Sequence, residues 1–75
     1  MTASIEIRKS NDLDRGALRE LAELDSAPPI AGPVLMAVRD DRPVAAISLD
    51  GSREIADPFV RTREIVELLR AARAA

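Results

Sequence analysis

Arg61-Thr62-Arg63 is the stretch of this sequence best suited to hold a ligand. Two guanidinium groups beside a helix start can hold a phosphate or a carboxylate through charge-assisted hydrogen bonds, and a solvated or ion-paired surface role is the plainer reading of the same pair. Four other residue groups have types that suit chemistry. Glu54 and Asp57 are carboxylates near a strand end, Asp40-Asp41 is a short acidic pair, and Ser48 is a hydroxyl inside an apolar run. Each has a plainer role in the fold. Asp57 precedes Pro58 and suits a turn, Glu54 suits a solvent-facing strand position, and Asp40-Asp41 suits a turn and is too short for a calcium loop. Ser48 has no base beside it in the chain, so a buried hydroxyl satisfied by neighbouring backbone is expected. The sequence holds no His, no Cys and no Tyr. That removes imidazole and thiol chemistry, disulfides and Cys/His zinc sites, and leaves general acid–base work to carboxylates alone. No catalytic residue and no metal site is assigned.

Seventy-five residues leave room for one core, so residues 1–75 are expected to form a single domain. A domain of this size buries only about 60% of the surface its unfolded chain exposes, and many such domains gain support from disulfides, a metal or a partner subunit. With the first two ruled out or unassigned, self-association is the expected support. Thirteen acidic and 11 basic residues give a net charge of −2, and Phe59 is the only aromatic residue. Nucleic-acid binders usually show a basic face and stacking aromatics, so no nucleic-acid partner is expected. The start at Met1-Thr2-Ala3 has no basic, apolar leader, and no apolar run approaches the roughly 18 residues of a membrane span. A cytoplasmic protein with no membrane partner is expected.

The elements that must position these residues are legible from periodicity. Ile5-Glu6-Ile7-Arg8 alternates as a half-buried strand does. Ser10-Asn11-Asp12 supplies N-caps, and Leu13, Ala17, Leu18, Leu21 and Leu24 follow at helical spacing over an arc of about 140°. Ser26 to Pro33, with three prolines, cannot continue the helix and predicts a stiff loop. Val34–Val38 and Val44–Leu49 are apolar runs of the kind covered on both faces, joined by a short polar hairpin connection. Asp50-Gly51 predicts a second tight turn, into a strand over residues 53–57 that Pro58 closes. Thr62 is the expected N-cap of a last helix, with Ile65, Val66, Leu68, Leu69 and Ala72 on its apolar side.

This order of strand, helix, three strands and helix resembles the first two-thirds of the GNAT acyltransferases, which move acyl groups from coenzyme A. The pieces are Ile5 to Arg8, Leu18 to Asp25, the hairpin Val34 to Leu49, and Asp57 to Val66, which lies where the family has its fourth strand and cofactor loop. In that loop the family places an Arg or Gln, then two small residues that let backbone N–H groups approach the pyrophosphate. Arg61 lines up with the leading Arg, whereas Glu64 and Val66 stand where small residues belong. Bulk there crowds the backbone approach, and the Glu64 carboxylate repels phosphate. The family's later strands and its tyrosine acid have no counterpart in this sequence.

The resemblance therefore implies a shortened GNAT-like α+β domain with the order β-α-β-β-β-α. Its sheet is expected to be mixed and mainly antiparallel, with both amphipathic helices on its faces. The core is expected from Ile5, Ile7, Leu13, Leu18, Leu21, Leu24, Leu35, Ala37, Val44, Ala46, Ile47, Leu49, Ile55, Phe59, Ile65, Leu68 and Leu69. The implied function is non-catalytic protein association, as a homodimer or with a protein partner, with no cofactor. The alternative is an acyl-coenzyme A binding protein or minimal N-acetyltransferase in which Arg61, Thr62 and Arg63 contact the phosphates of acetyl-coenzyme A or coenzyme A.

Overall fold

Alternation along Ile5–Lys9 produces strand β1, and the apolar runs produce β2 (Val34–Arg39) and β3 (Arg42–Ser48). Short β4 (Glu54–Ala56) completes a sheet of order β1-β2-β3-β4 in which every neighbouring pair is antiparallel. The computed structural model describes residues 4–75, so the expectation placed on Met1-Thr2-Ala3 lies outside the described residues. Helix α1 (Arg15–Leu24) links β1 to β2, and helix α2 (Arg63–Ala74) follows β4. Neither is long and apolar enough to cross a membrane.

The expected mixed sheet is corrected to a wholly antiparallel one. Each connection is a tight turn or, between β1 and β2, a helix and proline loop that return the chain directly beside the strand it left. No connection crosses over to a parallel neighbour, which is what a mixed sheet requires.

The register explains why β2 and β3 carry continuous apolar runs. Met36 pairs with Ala46, and both are buried with Val34, Ile55 and α1's Leu21 and Ala22. Leu35 pairs with Ile47 and Ala37 with Ala45, and these pack with α2's Ile65 and Leu69. Successive side chains on a strand point to opposite faces, so the two helices cover opposite faces of the sheet. Helix α1 lies over β3 and β4, and α2 lies over β2 and β3.

Several residues expected in the core are exposed instead. Leu13 is 94% and Phe59 82% exposed, while Leu24, Leu49 and Leu68 are exposed to smaller degrees. Leu13 belongs to a 3-10 turn (Asp12–Asp14) before α1, so it is off the helix's buried stripe. Phe59 sits at the tip of the loop after β4, Leu24 is the last residue of α1, and Leu49 lies in the turn after β3. On α2 the buried positions are Ile65 and Leu69, and Leu68 is rotated by about 100° from Leu69 and about 60° from Ile65, to the edge of that stripe. Small side chains fill the layers closest to the helices, and Ala22, Ala37 and Ala45 are fully buried.

Local chemistry sets the connections. Asn11 caps the 3-10 turn by accepting from the Leu13 N–H at 2.8 Å, and Asp14 accepts from the Asn11 N–H at 2.8 Å. Asp14 also receives a bidentate Arg8 guanidinium at 2.9 and 3.0 Å, which holds its carboxyl below the usual range and ties the turn to β1. Arg53 donates to the carbonyls of Pro28 and Pro29, anchoring the proline loop to the start of β4. Arg39 pairs with Arg42 around Asp40 and Asp41, whose φ values of 52° and 63° are both left-handed. A two-residue hairpin turn of the I′ class needs this geometry, and Gly is favoured over Asp at its second position. Asp41→Gly should therefore raise stability by about 0.5 kcal/mol, seen as a small upward shift in thermal midpoint.

Candidate functional site

The loop that follows β4 is built on Asp57. Its N–H donates to the Val44 carbonyl at 2.9 Å, its carboxylate accepts from the Phe59 N–H at 2.8 Å, and its carbonyl accepts from the Val60 N–H at 3.2 Å. Asp57 is thus a turn former, its carboxylate and carbonyl engaged within the turn and its N–H tying the turn to β3. The turn projects Phe59 outward and brings Val60 back against the α2 side of the core. A cavity of about 270 Å³ opens beside it, lined in part by Ala17, Glu20, Leu24, Asp57 and Val60.

Arg61, Thr62 and Arg63 follow at the start of α2. The two arginines are exposed, and among the described residues neither takes part in an ion pair. They do not line the cavity beside Asp57. Thr62 occupies the N-cap position but makes no side-chain capping bond, so its hydroxyl does not compete for the first backbone N–H groups. Glu64 is exposed in the first turn of α2, at the end of the helix where a phosphate would bind. Val66 is half-buried and packs with the α2-side core. It therefore serves the core, which accounts for a branched apolar residue at that position.

The other sequence candidates have structural partners. Glu54 points to the α2 side and pairs with Arg70, with one contact at 2.7 Å. This pairing holds its carboxyl below the usual range and replaces the purely solvent-facing role expected for it. Ser48 is buried, its hydroxyl accepting from the Arg53 N–H at 3.0 Å and donating to Asp50 at 2.7 Å. Asp50 in turn accepts from the N–H and hydroxyl of Ser52 at 2.9 and 2.6 Å. These hydrogen bonds, from Ser52 first and then Ser48, bring the Asp50 carboxyl down to about 2.

A depressed folded-state value means that the Asp50 contribution is present above the unfolded value near 3.8 and is lost as pH falls through about 2. Urea midpoints should therefore fall between about pH 4 and pH 2, and Asp50→Asn should flatten that fall. Asp14 and Glu54 titrate in the same direction and keep part of the slope.

The sheet's two edges differ, and this feature has no motif in the sequence. On β4, Ile55 faces β3, so Glu54 and Ala56 turn their backbone groups outward. The Ala56 N–H is taken by the Asp25 carboxylate at 3.1 Å, from the residue that ends α1. With only three residues and Pro58 just beyond it, this edge is blunted in the way natural sheets protect themselves. β1 is five residues long. Its Ser10 N–H bonds to the Val34 carbonyl at 2.8 Å, which fixes the alternation so that Arg8 and Glu6 face β2. Ile5, Ile7 and Lys9 then direct N–H and C=O away from the sheet. Among the described residues, the partner seen on that side is an Arg8 Nη1 contact to the Lys9 carbonyl, long at 3.4 Å. Comparison with protein-family models, with curated proteins and with solved structures gives no match to this chain.

Proposed function

We propose that this chain is a non-catalytic, GNAT-like, cytoplasmic mini-domain that acts through protein association, as a homodimer or bound to a protein partner. The observation that carries this reading is the asymmetry of the sheet: among the described residues no strand pairs with the outer edge of β1, whereas the outward Ala56 N–H on β4 is occupied by Asp25. An exposed strand edge is a template for pairing with another chain. The GNAT-like part is supported by the consecutive antiparallel strand order, by one helix on each face, and by the β4-to-α2 loop at the position the family uses for its cofactor.

Exposed Arg61 and Arg63 keep acyl-coenzyme A binding as the second reading, while Glu64 in the same helix turn opposes it. An amide NMR titration with acetyl-coenzyme A separates the two. The association reading predicts an unchanged spectrum. Shifts confined to residues 56–66 and saturating at micromolar ligand would replace it with the acyl-coenzyme A reading.

A further inference from the structure

We infer that the partner at the free edge is a second copy of this chain, joined β1 to β1 about a two-fold axis through Ile7. This rests on the association reading above and specifies its partner and register. Three features point to it.

The backbone comes first. Ile5, Ile7 and Lys9 are the outward residues, so an antiparallel match must place odd positions opposite odd positions for both strands to exchange hydrogen bonds. Three two-fold registers meet this condition with substantial overlap, centred on residues 6, 7 or 8. Centring on Glu6 sets Glu6 opposite its own copy, and centring on Arg8 does the same for Arg8. Like charges directly opposite are destabilising.

Only the Ile7-centred register is complementary in charge. It sets Glu6 against the second copy's Arg8 and Arg8 against the second copy's Glu6, in the closely spaced pair sites where side chains lie nearest. Glu6 and Arg8 lie on the α1 side of the sheet, over the pairing partners Val38 and Met36, and α1 itself covers β3 and β4 instead. Glu6 is exposed, and Arg8 already has a carboxylate environment in Asp14 and Glu6. The opposing Glu6 extends that network across the junction.

The apolar side agrees. Ile5 and Ile7 lie on the α2 side, each half-buried against the core. The Ile7 register stacks one Ile7 against the other and lays the aliphatic stem of Lys9 over the second copy's Ile5. The result is an eight-stranded sheet with a shared α2-side core and blunted β4 edges at both ends. A five-residue junction is small for a stable interface, so the dimer should be concentration-dependent.

The test is an isotope-filtered NOE experiment on mixed labelled and unlabelled chains at millimolar concentration, paired with sedimentation of Glu6→Lys. Closely spaced pairs in an antiparallel ladder bring α-protons together, so an intermolecular cross-peak between Glu6 Hα and Arg8 Hα is expected. Glu6→Lys turns two attractive pairs into two repulsive ones and should weaken dimerisation roughly tenfold, while leaving the monomer folded because Glu6 is exposed. A dimer with intermolecular NOEs elsewhere overturns the β1 junction and leaves association standing. A folded chain that stays monomeric overturns the β1 junction and the homodimer form of the association reading, and leaves binding to a different protein partner as the form that stands.

Discussion

Leu69→Ala should lower the unfolding free energy by about 3 kcal/mol, the largest single effect expected in this fold. Leu69 is fully buried where α2 meets the sheet, packed among Ala37, Ala45, Ile47 and Ile65. Its neighbours are short or β-branched side chains held on adjacent paired strands, which limits how far the site can collapse around the lost methyl groups. A chain of this length has a total stability on the order of 4–11 kcal/mol. The substitution should therefore remove between a quarter and most of it, and urea unfolding followed by circular dichroism measures the loss. A loss below about 1 kcal/mol would mean that α2 is not seated on the sheet at this position.

Ala45→Leu should destabilise by about 2 kcal/mol for the opposite reason. Ala45 lies opposite Ala37 across β2 and β3, and both are fully buried beneath α2. The alanine pair sets how closely the helix approaches the strands. Extra volume at position 45 must push α2 outward or force strained rotamers, because core packing has no free space to absorb it. A thermal midpoint lower by about 10 °C is expected for a domain this small. A Leu tolerated without loss would indicate space between α2 and the sheet.

Most elements were legible from the chain because their signals are local. The alternation in Ile5 to Arg8, the two apolar runs, Asp50-Gly51 and the stripe through Ile65 and Leu69 all appear as β1, β2, β3, a turn and α2. The turn roles of Asp57 and of Asp40-Asp41, and the satisfied hydroxyl of Ser48, also followed from side-chain chemistry within a few residues. Core membership was harder to read. Hydrophobicity identifies Leu13, Leu68 and Phe59 as apolar, but burial depends on whether another element faces them, and among the described residues all three stay exposed. The same limit hid Ala22 and Ala45, since alanine is neutral in pattern and becomes decisive only when a helix lies close above it, while Ala37 and Ala46 were expected in the core and are buried there.

The site was legible to a smaller extent. Arg61, Thr62 and Arg63 do stand at a helix start, as their spacing implied, yet Val66 is bulky because it packs into the core. The edge asymmetry depends on Asp25 reaching Ala56 across 31 positions of sequence, a contact with no local signature. Sequence pattern identifies Glu6 and Arg8 as the exposed face of a strand. Their value as a self-complementary pair emerges only when the register makes β1 an edge and fixes which of its residues point outward.

Sedimentation velocity over a concentration series tests the central claim most directly. Association through the free β1 edge predicts a sedimentation coefficient that rises with concentration from a monomer toward a dimer. A single monomeric species at every concentration, from a chain shown to be folded and free of any added protein, would contradict the homodimer and leave the free edge without its proposed occupant.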